Sequence, residues 1–207
     1  RGSSSILCLC VARRYSAAHD SALLAVRRAQ QSLPDVKIAA LDSGSAAGGE
    51  GLIALEALRA ANRGLDLTEV VKAAREVADK VSLVAFLDTL YYVWKGGRVP
   101  RLAYSGASLL GLKPMFELAS GEVRAIGRPR TRARAMRRLV DAMRKRVGDR
   151  PVHAGVMHGD CPEDAQELRQ AVELKFDCLG LFVSEFTPVM GAHTGPGLLG
   201  LAFWAQR

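Results

Sequence analysis

Two hydrophobic periods run along this chain, one of strands and one of amphipathic helices. Residues 6–11 (I-L-C-L-C-V) are continuously apolar and read as a short buried strand, too apolar for an exposed edge. A polar loop leads into a helix over about 21–32, whose apolar face opens with Leu23, Leu24 and Ala25; Leu33, Pro34 and Asp35 end it. Residues 36–41 read as a second strand, and the turn D-S-G-S-A-A-G-G-E-G feeds a helix over about 51–62 that Gly64 closes. Strand, helix, strand, glycine-rich loop, helix is an order that predicts parallel strands with helical crossovers.

Asp66 or Thr68 caps the next helix, which runs to about residue 79 with Val70, Val71, Ala74, Val77 and Ala78 on its buried face. Residues 81–87 form a strand and 88–94 a short helix ending at K-G-G-R. A hairpin follows, with strands over 114–118 and 122–126 joined at A-S-G. Met136, Leu139, Val140, Met143 and Val147 fall at helical spacing on one face of a long helix. Residues 152–157 and 178–184 are strands on either side of a helix over 162–174. These elements suit an α+β arrangement with antiparallel pairing.

The stretch over 188–204, P-V-M-G-A-H-T-G-P-G-L-L-G-L-A-F-W, follows the apolar residues 181–183 and ends in the apolar run 198–204. Its glycines permit positive φ and close approach of a ligand to the main chain, and Pro196 stiffens the turn. His193 is the one side chain there whose charge changes near neutral pH, so the turn suits an anionic group. The alternative is a tight turn between buried strands with an incidental histidine.

At 207 residues the chain is long enough for one large or two small domains, and 49% hydrophobic with 24% charged residues is an ordinary globular composition. No apolar run approaches the roughly 20 residues of a membrane span. The start, R-G-S-S-S, lacks Met and reads as an expression scar or a trimmed terminus. Cys8, Cys10, Cys161 and Cys178 show no C-x-x-C spacing; they read as buried thiols of a reducing cytoplasm, with neither zinc nor disulfides, Cys8 and Cys10 sharing one strand face. The net charge of +8 is concentrated between Arg128 and Arg150, where only Asp141 and Asp149 oppose the basic residues. Such a face is either a solvated helix surface or a docking surface for an acidic partner.

Five segments, in this order, resemble the DegV family of bacterial fatty-acid-binding proteins, which includes the lipid-carrying subunit of bacterial fatty acid kinase. They are L-P-D-V-K-I-A-A-L-D-S with its small-residue turn, D-T-L-Y-Y-V-W-K-G-G-R-V, L-L-G-L-K-P, G-R-P-R-T-R and G-A-H-T-G-P-G. The resemblance covers almost the whole chain. It implies an α/β fold of two domains: a parallel α/β domain over 1–80, lacking the family's first strand–helix segment and so exposing a sheet edge, and an α+β domain over 81–207 with a mostly antiparallel sheet carrying H-T-G-P-G. A long acyl chain would be buried between and within them.

For the carboxylate, the resemblance implies His193 and, from K-G-G-R, Arg98, with Thr194, Ser43 and Ser45 as further polar groups. A cationic pair at a glycine-rich turn offsets the cost of taking a carboxylate out of water. Two hydroxyls usual in the family are absent: their positions read Ala18 and Ala47, so Ser43, Ser45 or His19 would have to substitute. The function implied is a cytoplasmic carrier, not itself an enzyme, which presents a bound fatty acid to a kinase that docks on Arg134, Arg137 and Arg138; a transient membrane contact is compatible with it. No metal, other cofactor or nucleic acid is expected. The alternatives are an acyl or phosphoryl transferase or lipid hydrolase using His193 as base, though no G-x-S-x-G is present, and a basic nucleic-acid-binding protein, though no aromatics interleave with the arginines.

Overall fold

The computed structural model describes residues 2–97 and 111–206. Contacts divide the chain into two compact units, Arg1–Val81 with Ala119–Glu122, and Ser82–Leu118 with Val123–Arg207.

In the first unit, β1 (Ser5–Cys10) pairs in parallel with β2 (Lys37–Asp42), from Ser5 opposite Lys37 to Cys10 opposite Asp42. The crossover between these parallel strands is helix α1 (Ala18–Ser32). Burial rises along β1 only to its end at Cys10, and Ile6 stays 44% exposed. The apolar run therefore is not buried throughout in this structure: among the described residues β1 pairs with β2 alone.

Helix α2 (Ala47–Asn62) begins about four residues before the position expected from the sequence. Gly48 and Gly49 read as turn residues, but both are buried in the first helical turn. A Cβ on Gly49 would collide with the Ser45 hydroxyl, so this glycine serves close packing. Ala47 itself sits at φ 49°. Helix α3 (Leu67–Ala78) opens with a complete capping box: Asp66 Oδ1 accepts from Glu69 N at 2.9 Å, and Glu69 Oε2 accepts from Asp66 N at 3.1 Å. Leu52, Ile53, Ala57 and Ala60 of α2 and Val70, Ala74 and Val77 of α3 supply the buried faces. Among the cysteines, Cys8 and Cys10 share one face with their sulfurs 3.8 Å apart. Burial first, then the neighbouring Cys8, push the Cys10 thiol up to about 11.

The second unit runs β3 (Ser82–Phe86), α4 (Tyr91–Lys95), β4 (Met115–Ala119), β5 (Glu122–Gly127), α5 (Arg132–Val147), β6 (Val152–His158), α6 (Pro162–Glu173), β7 (Cys178–Glu185), α7 (Pro188–Thr194) and β8 (Leu199–Ala205). Its six-stranded sheet has the order β5-β4-β3-β8-β6-β7. The antiparallel pairing expected from the sequence joins β3 to β8 and β8 to β6. The crossover through α6 instead brings β7 back parallel to β6, so the sheet is mixed. Met136, Leu139, Val140, Met143 and Val147 of α5 bury the face that their spacing predicts, against Val84, Phe86, Val156, Leu201 and Phe203 of the sheet. No helix among the described residues is long and apolar enough to cross a membrane.

Candidate functional site

The glycine-rich stretch before β8 is not the extended turn that its composition predicts. Pro188 takes the first helical position, where its missing N–H and fixed φ suit a helix start, and the chain winds through α7 to Thr194. Gly195 (φ 76°) stops the helix, and its N–H closes the last turn onto Gly191 O at 2.8 Å. His193 lies half-buried in that last turn. The Thr194 hydroxyl donates to Met190 O at 2.8 Å, so its proton is held by the helix.

The turn after His193 is closely packed. A Cβ on Gly195 would collide with the Tyr92 ring, and one on Gly197 (φ 79°) would lie 2.7 Å from Asp88 Oδ2 and 3.1 Å from Arg132 Nη1. Gly197 N donates to Gly159 O at 2.7 Å, and Gly159 N to Leu198 O at 2.8 Å. Asp88 is a meeting point of four of the segments singled out in the sequence. It belongs to the D-T-L-Y-Y segment; Lys113 of L-L-G-L-K-P reaches its Oδ1 at 2.9 Å, and Arg132 of G-R-P-R-T-R at 2.6 Å. Arg132 Nη1 also donates to Gly197 O of H-T-G-P-G at 2.9 Å. Arg132 Nε donates to Asp164 Oδ2 at 2.7 Å, and the guanidinium lies 5.1 Å from the Phe86 ring centroid. Burial alone would lower the Arg132 pKa, but the hydrogen bond to Asp164 and the charges of Asp88 and Asp164 outweigh it, and the net shift is upward.

Asp88, Lys113 and Arg132 are not among the residues that the sequence picks out individually. Arg132 sits in a run of arginines and reads there as one more solvated charge; the signal that sets it apart is its place at the first turn of α5. Arg98 lies outside the described residues.

In the first unit, Ser43 and Ser45 are both 1% exposed. The Ser43 hydroxyl donates to Ser45 O and accepts from Ser45 N, both at 3.1 Å, a self-contained turn. Ser45 Oγ has no hydrogen-bond partner among the described residues. A cavity of about 550 Å³ is lined by His19, Leu23, Leu41, Ser43, Arg75 and Asp79, among others. His19 is buried, with Nδ1 unpartnered among the described residues. Ala18 opens α1, its N–H on Ser16 Oγ at 3.1 Å.

The basic cluster separates into two groups. Arg132, Arg144 and Arg146 are paired with Asp88 and Asp164, with Asp149, and with Glu117, respectively. Arg134, Arg137 and Arg138 are exposed on the outer face of α5, form no ion pair with a described residue, and Arg138 packs over Gly127. No group of His, Cys, Asp and Glu that could hold a metal occurs among the described residues.

A small parallel α/β unit followed by a mixed-sheet unit, with the H-T-G-P-G segment running from the last turn of α7 towards β8, is the class of protein that these elements define. The model of the family described as "Uncharacterised protein, DegV family" matches residues 1–206, and the chain belongs to the DegV family. A DegV domain-containing protein of Streptomyces coelicolor is 34% identical over 201 residues, covering 97% of this chain and 70% of that protein. Among solved structures, the fatty-acid-binding DegV family protein of Thermus thermophilus is similar at a TM-score of 0.88 and 25% identity, over 99% of this chain and 72% of that one. The Streptococcus pneumoniae fatty acid kinase B3 protein loaded with linoleic acid shares the fold at a TM-score of 0.90, with 20% identity over 100% of this chain and 73% of that one.

Proposed function

We propose that this chain is a fatty-acid-binding carrier that holds a long acyl chain and presents its carboxylate to a partner kinase for phosphorylation. The observation that carries the reading is the similarity over 99% of the chain to the Thermus thermophilus protein, which is described by its fatty acid binding. On this reading the chain performs no chemistry itself and works in the cytoplasm. Residues 1–80 and 81–207 act as its two domains, a division that the change of compact unit near Val81 supports.

His193 and Arg98 hold the carboxylate, with Ser45, whose Oγ has no partner among the described residues, as a further donor; Thr194 and Ser43 join them only by giving up their bonds to Met190 O and Ser45 O. The half-buried place of His193 in the last turn of α7, directly before the closely packed turn at Gly195 and Gly197, supports its role. Arg134, Arg137 and Arg138 form the kinase-docking face, and their freedom from ion pairs with described residues supports this. The burial of about 0.8 kcal/mol per methylene retains the tail, and the head-group contacts set its position.

Titration of delipidated protein with palmitic acid and with methyl palmitate tests the reading. The wild type prefers the acid. His193→Ala lowers acid affinity by roughly tenfold or more, since a hydrogen bond to a charged group contributes about 1.5–3 kcal/mol, and leaves the ester unchanged. Equal affinity of the wild type for acid and ester would contradict the carboxylate site.

A further inference from the structure

We infer that Arg132, held by Asp88, is the positioning residue of the carboxylate site: its guanidinium fixes the Gly197 carbonyl and thereby the turn that aims His193. The inference rests on the carboxylate reading of His193 and concerns what makes that site selective.

The turn that follows His193 is fixed at three successive points. Gly195 lies against the Tyr92 ring, Pro196 has a restricted φ, and Gly197 is held through both of its backbone polar groups, N–H to Gly159 O at 2.7 Å and C=O from Arg132 Nη1 at 2.9 Å. The backbone partner is generic. Arg132 is specific, because one planar fork serves three acceptors on three separate segments: Asp88 Oδ1 at 2.6 Å, Gly197 O, and Asp164 Oδ2 at 2.7 Å from Nε. A lysine has neither the fork nor the planar face that lies over Phe86. The turn also closes directly onto the pair, since any side chain at position 197 would strike Asp88 and Arg132.

An ion pair of this exposure would contribute little to stability as a surface bridge. Its consequence is geometric: without it the Gly197 carbonyl has no fixed donor, and the last turn of α7 with His193 loses its anchor on that side. An error of an ångström in the imidazole affects a charged head group strongly and an ester weakly.

Arg132→Lys and Arg132→Met, delipidated and titrated with palmitic acid and methyl palmitate, test this, with the thermal midpoint measured alongside. Both variants are expected to lose about tenfold or more in acid affinity while ester affinity stays within about twofold, so the acid-to-ester ratio collapses and lysine does not rescue it. If Arg132→Met does not fold, Asp88→Asn is read in the same assay with the same outcomes. Variants that keep the wild-type acid preference, or that lose acid and ester in equal measure, would overturn the inference and leave the carboxylate reading intact. A wild type with no acid preference would remove that reading, and this inference with it.

Discussion

Gly195 and Gly64 both have positive φ, at 76° and 82°, yet their substitution should differ in cost. At Gly64 a new Cβ meets nothing within 4 Å, so Gly64→Ala loses only the left-handed preference, about 1–2 kcal/mol. At Gly195 ψ is 175°, a region that essentially only glycine adopts, and the Cβ also collides with Tyr92, so Gly195→Ala should cost roughly 2–5 kcal/mol in urea unfolding. Equal costs would mean that Tyr92 does not hold the turn. A second residue to test is Glu50, whose carboxyl burial pushes above its ordinary 4.5. The folded state then binds its proton more tightly than the unfolded one, so the contribution of Glu50 to stability is full below about pH 4 and is lost as pH rises through the folded pKa. Glu50→Gln should therefore unfold at higher urea than the wild type at pH 7, with the gap closing in acid; a less stable variant at pH 7 would contradict this. At this scale the role proposed for His193 starts from the sequence, where one imidazole among glycines stands out. Asp88 and Arg132 are not, since their partners lie 44 and 32 residues away along the chain and a charge in a charged run carries no sign of being bound.

Periodicity reveals an element when its residues face one core. Helix α5 is legible for this reason: the five apolar positions at helical spacing all pack on the sheet, with Ala135 beside them. Where glycine and proline serve packing or helix starts, the same residues read as turns, so the sequence predicts a loop in place of α7 and a late start for α2. The outer face of α5 presents charge, with Arg138 packed only over Gly127, so Arg134→Glu, Arg137→Glu and Arg138→Glu together should leave the unfolding midpoint and palmitic acid binding near wild type. The same triple reversal should slow acyl-phosphate formation by a partner kinase with ATP, more at low ionic strength than at high. An unchanged rate would reduce the cluster to a solvated surface.

For the whole molecule, strand and helix order gives the parallel pairing of the first unit, because a crossover helix permits little else. It does not give the parallel β6–β7 pair within a sheet of otherwise antiparallel neighbours around β8, which depends on where the α6 crossover returns the chain. The five segments that carry the family resemblance are far apart in sequence, yet in the second unit four of them converge on Asp88. That convergence gives the glycine turn a fixed geometry, which a head-group site needs. The central claim is that the chain carries a fatty acid, and the most direct measurement is native mass spectrometry of the purified protein, followed by extraction and identification of what leaves it. The account predicts one acyl chain per protein with a free carboxylate, lost on delipidation and regained from added palmitic acid, with His193→Ala leaving total lipid nearly unchanged. Protein that carries no acyl chain and takes up none from added fatty acid would contradict it.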